Sequence, residues 1–101
     1  MLNDYKYDEL KPILNPEAEI LKISENKFII ISSCKQKVLK VDKIITLFLL
    51  ECNGIRNVNE ILYNIVKKYN ISDDELSYFK KNLEKILVFL RYIGIIRIEK
   101  L

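Results

Sequence analysis

The sequence predicts an α+β domain in which a three-stranded antiparallel sheet is followed by three helices. Three observations carry that prediction. Between Ala18 and Val41 the apolar residues come in short β-branched runs separated by polar breaks. From Asp42 onward they recur at three- and four-residue steps, the spacing of a helix face. The two glycines, Gly54 and Gly94, close two of those periodic runs, where a left-handed helix end is cheap without a Cβ. With 101 residues, one domain with one core is the natural expectation.

Residues 1–17 read as an N-terminal arm, and residues 18–101 as a single domain. Pro12 and Pro16 oppose regular structure in the arm and bias the residue before each toward extended geometry. AEILKI (Ala18–Ile23) is the first strand, ended by Ser24-Glu25-Asn26. KFIIISS (Lys27–Ser33) is continuous and β-branched, as a central strand covered on both faces would be. After Cys34-Lys35-Gln36, KVLKV (Lys37–Val41) completes a meander, since strands this close favour hairpins over crossovers.

Asp42 is a good N-cap for a heavily buried helix carrying Ile44, Ile45, Leu47, Phe48 and Leu49 and ending at Gly54. Asn57 and Glu60 then stand at capping-box spacing, with Val58, Ile61, Leu62, Ile65, Val66 and Tyr69 as the apolar stripe of a second helix. Ser72 and Glu75 form a second box. They open a long third helix whose stripe is Leu76, Phe79, Leu83, Ile86, Leu87, Leu90 and Ile93. The tail IIRIEKL is expected to pack as an extended strand. The order β-β-β-α-α-α, with a tight corner at Gly54, describes a winged helix-turn-helix-like domain.

Composition removes several function classes. Half of the residues are hydrophobic and 31% charged, a globular balance, and the net charge of +3 is too small to argue nucleic-acid binding without clustering. The longest apolar runs fall short of a membrane span, and the N-terminus lacks a signal peptide's apolar segment, so a cytoplasmic protein with no membrane partner is expected. Cys34 and Cys52 then read as reduced, structural thiols. Without histidine or a CxxC pair, no metal or other cofactor is expected. No paired acid–base constellation stands out, and the expectation is a protein that is not an enzyme.

From Lys37 to Ile96 the pattern resembles the PqqD-like family, the peptide chaperones also called RiPP recognition elements. The matching parts are the strand before Asp42, the helix ending CNG, the run GIRNVNEIL and the YIGII closure. Where the family has Leu-Asn leading into its first helix, this chain has Val41-Asp42. Where the family has a glycine and then Thr-Val-x-Glu-Ile, this chain has Gly54 and then Asn57-Val58-Asn59-Glu60-Ile61. The family's small, alanine-rich first helix is replaced by bulkier Ile44, Ile45 and Leu47. The resemblance implies capture of the leader segment of a ribosomally made precursor peptide. The leader would add as a strand to the third strand, beside the third helix. It would then be presented to a modifying enzyme such as a radical-SAM maturase, a cyclodehydratase or a leader peptidase.

Carried onto this chain, the receiving edge is Lys35, Gln36, Lys37, Val38, Leu39 and Lys40. The facing helix stripe is Tyr78, Asn82, Lys85, Phe89 and Tyr92, with Lys81 on its margin. Lysines at the edge and on the helix suit an acidic leader with Leu, Ile or Phe anchors, held at micromolar to roughly tens of nanomolar affinity. Edge lysines also serve to block unwanted sheet pairing, and Phe89 and Tyr92 also suit a core. Pairing of two copies through the edge strand stays open. The alternative function is a winged-helix DNA-binding regulator reading bases with Lys80, Lys81, Asn82 and Lys85. Asp73, Asp74 and Glu75 at the start of that helix would repel phosphate, so no nucleic-acid partner is expected.

Overall fold

The computed structural model describes residues 7–32 and 38–100, with side chains through Ile98. After a short 3-10 turn (Tyr7–Glu9) come β1 (Leu10–Leu14), β2 (Glu19–Ser24), β3 (Lys27–Ile31) and β4 (Val38–Asp42). The helices are α1 (Lys43–Leu50), α2 (Val58–Lys68), α3 (Asp73–Lys81) and α4 (Leu83–Tyr92), and β5 (Ile96–Lys100) closes the order. Among the described residues the fold is α+β with the expected antiparallel sheet β2-β3-β4, a second sheet β1-β5, and four helices instead of three.

Residues 10–14, inside the stretch read as an arm, are β1, paired antiparallel with β5 from Leu10↔Lys100 to Leu14↔Ile96. Pro12 does not break this strand. Its carbonyl accepts from the Gly54 N–H at 3.0 Å on the side of β1 away from β5, so the absent proline N–H takes no bond from the β1–β5 ladder. Leu10 and Ile96 are among the most deeply buried residues, so this segment belongs to the core.

α1 is the centre of the molecule, as its composition demands. Thr46, Leu47, Phe48 and Leu49 are all buried, and the helix packs on β1, β3, β4 and α2. Phe48 meets Phe79 of α3 with ring centroids 5.4 Å apart, a tilted pair worth about 1 kcal/mol beyond its area. Asp42 occupies the N-cap position without capping: its carboxylate is instead held by Lys27 Nζ at 2.7 Å across the β3–β4 ladder.

The corner after α1 differs from the expected one. The helix ends at Leu50, short of Gly54, and the connection runs over residues 51–57. Ile13 and Asn53 form an isolated bridge, Leu14 N–H donates to the Cys52 carbonyl at 3.0 Å, and Asn53 Oδ1 accepts from the N–H groups of Ile55 and Arg56. Gly54 has φ +80°, and a Cβ there would lie 2.6 Å from Ile13 Cγ1. The glycine is therefore needed for a close backbone crossing as well as for its dihedral. The two capping boxes, Asn57 with Glu60 and Ser72 with Glu75, are both formed.

The long third helix divides at Asn82. There φ is −103° and ψ 5°, and Asn82 Nδ2 donates to the Tyr78 carbonyl at 2.9 Å. A short amide competing for a helix carbonyl is a recognised cause of a kink. Among the described residues no helix is long and apolar enough to cross a membrane.

Candidate functional site

β4 is the element on which the sequence places the receiving edge. It pairs with β3 in the register Ile31↔Val38, Ile30↔Leu39, Ile29↔Lys40. Among the described residues β3 is its only ladder partner, because the N-terminal strand pairs with β5 instead. Val38 is 65% exposed, Lys40 is exposed, and Leu39 is half-buried against the core. Lys35, Gln36 and Lys37 lie outside the described residues, as does Cys34.

The helical stripe does not remain one surface. The helix is interrupted at Asn82, and residues of the stripe line two separate shallow grooves. Tyr78 lines one with Asn26, Asp42, Lys43, Ile44 and Glu75, at the Asp42 end of β4. Lys85, Phe89 and Tyr92 line the other, of about 420 Å³, together with Glu84 and Val88. Tyr92 is 84% exposed and Phe89 47%, so neither ring is a core residue. Lys81 is exposed, and the Asn82 amide nitrogen is already engaged by the helix. The structure thus brings Tyr78 to the end of β4. The groove on α4 is lined by α4 residues alone.

Two features escaped the sequence reading. The first is the outer face of the sheet. Ile30, Ile20, Leu39, Phe28 and Val41 face the core, but Ile29 and Ile31 do not pack against it, and Leu21 beside Ile29 is 49% exposed. Ile29 and Ile31 are half-buried, so the outer face of β3 is partly shielded, and among the described residues no second core packs on it as the expectation of two covered faces required. The alternation was visible in KFIII, but an unbroken apolar run hides which face lacks a cover.

The second is Glu51, 9% exposed at the end of α1. Its carboxylate accepts from Lys68 Nζ at 3.2 Å and Asn64 Nδ2 at 3.3 Å, and pairs with Arg56 Nη1 at 3.4 Å. Burial by itself would raise its pKa. The hydrogen bonds from Lys68 and Asn64, with the charges of Lys68 and Arg56, outweigh burial and hold it below the ordinary 4.5. Next to it, Cys52 Sγ donates to the Phe48 carbonyl at 3.2 Å, and burial, helped by the Glu51 charge, pushes the thiol up to about 12. At neutral pH Cys52 is a protonated thiol, the wrong form for a nucleophile. Among the described residues no cluster of His, Cys, Asp or Glu could hold a metal ion.

No family model, curated protein or solved structure matches the chain.

Proposed function

We propose that the protein is a non-catalytic, cytoplasmic peptide-capture module of the PqqD-like kind. It would take up the leader of a ribosomally made precursor by strand addition at β4 and offer the rest of that peptide to a modifying enzyme. The observation that carries this reading is the state of β4. Among the described residues it is the last strand of its sheet, and β1 is committed elsewhere, to β5. An edge of this kind presents N–H and C=O groups that an extended peptide can pair. Tyr78 at one end of β4, and the exposed rings Phe89 and Tyr92 on α4, are the surfaces from which anchors for the peptide's apolar side chains would come. The winged-helix-like reading belongs to the same proposal, and what supports it is the succession β2, β3, β4, α1, α2 and a third helical run interrupted at Asn82, beside which β1 and β5 are additional strands.

The test is a titration of acidic, aliphatic-containing leader peptides, taken from short reading frames beside the gene, into the full chain while backbone amides are followed by NMR. The expected result is perturbation and slowed exchange at Val38–Lys40, with affinity falling as salt rises from low to moderate ionic strength. Binding that leaves Val38–Lys40 unperturbed would refute capture at this edge.

A further inference from the structure

We infer that the open outer face of the three-stranded sheet takes part in reading the captured strand, selecting an extended segment with an acidic residue followed two positions later by an aliphatic one. The inference rests on strand addition at β4, proposed above. Side chains alternate along a strand, so Val38, Lys40 and Asp42 share the outer face while Leu39 and Val41 turn inward. The register sets Val38 beside Ile31, Lys40 beside Ile29, and Ile29 beside Leu21. This is a partly exposed aliphatic surface, with Val38 and Leu21 open to solvent and Ile29 and Ile31 half-buried between them, and its charged groups are not equally satisfied. Asp42 already holds Lys27, whereas Lys40 has no ion-pair partner among the described residues.

A strand added antiparallel to β4 sets its own alternate side chains opposite Asp42, then Lys40, then Val38, about 5 Å away between Cβ atoms. The position opposite Lys40 favours a carboxylate. The position two residues later favours Val, Ile or Leu, which lengthens the Ile31–Val38 row at the expense of water. Moving one member of the pair by a single position sends it to the other face, so spacing as well as composition is read. The other margin of the sheet is a poorer acceptor. β2 carries an irregularity between Lys22 and Ser24, and such bulges twist an edge away from pairing.

Two short Thr-rich synthetic peptides of identical composition test this, one with Asp and Ile two positions apart and one with them adjacent. Each is titrated into the full chain and read at the backbone amides. The alternating peptide is expected to perturb Val38–Lys40 and to bind about fivefold more tightly than the adjacent one. The exposed change Lys40→Glu is expected to reverse the preference, so that a peptide with Lys in place of Asp binds better. Equal affinities with Val38–Lys40 still perturbed would overturn the spacing rule and leave strand capture standing. Silence at Val38–Lys40 with both peptides would overturn strand capture and this inference together. Perturbation confined to Glu19–Ser24 would overturn the choice of edge.

Discussion

At single positions the molecule is controlled by a few groups that have no room to change. Gly54 combines a positive φ with a side chain of β1 where its own Cβ would be. Gly54→Ala is expected to cost about 2 kcal/mol, the sum of a left-handed backbone penalty and the displacement of Ile13. Urea denaturation against the parent chain measures it. Glu51 contributes to the acid limb of stability. Its pKa is lowered on folding, so the native state binds fewer protons, and its stabilisation is complete above the ordinary 4.5 and lost as pH falls below that value. Glu51→Gln keeps the shape but removes the charge that Lys68 and Arg56 face. It is expected to cost about 1.5 kcal/mol at neutral pH and to flatten the decline in stability below about pH 4.5. A variant whose stability fell with acid as steeply as the parent's would remove Glu51 from that role.

At the level of elements, the caps were the most legible part of the chain, because a cap is a local arrangement of one side chain and its own backbone. The Asn57 and Glu60 side chains each accept from the other's backbone N–H, at 2.8 and 2.9 Å. Asn57→Ala is therefore expected to destabilise the fold by about 1 kcal/mol, seen as a lower denaturation midpoint with unchanged slope. The same reasoning misjudged Asp42, whose carboxylate finds Lys27 across a ladder that no local window shows. Asn82 passed as a surface residue of one long helix because its amide suits either an exposed face or a kink. The strand hidden in the supposed arm was illegible for a longer-range reason. Leu10–Leu14 has no partner nearby in sequence, and Pro12 argues against a strand unless its missing donor happens to face away from the ladder. For the candidate site, the β4 edge could be read from its β-branched pattern. The division of the helical stripe and the partial exposure of the outer sheet face required knowing what packs where.

For the molecule as a whole, α1 lies between two sheets that differ in how they are built. The β2-β3-β4 sheet is made of neighbouring hairpins, whereas β1 reaches β5 only across nearly the entire chain. Closing so long a loop costs entropy, which the burial of Leu10 and Ile96 offsets. Local pairings of the first kind form quickly and long-range ones late, so β1 docking is expected to be the final event of folding and the first to reverse.

Cys52 makes that last event measurable. Its carbonyl is clasped by the Leu14 N–H of β1, and its side chain is buried, the sulfur donating to the Phe48 carbonyl. An alkylating reagent therefore meets a silent atom until the clasp loosens, and the rate of modification counts the loosenings. In a Cys34→Ser background, Leu10→Ala should accelerate that modification roughly tenfold or more, timed by mass spectrometry. A rate indifferent to Leu10 would mean that the sulfur is reached by some other breathing of the chain. With that one atom as a stopwatch, the seam between the two ends of the fold can be followed without any added label.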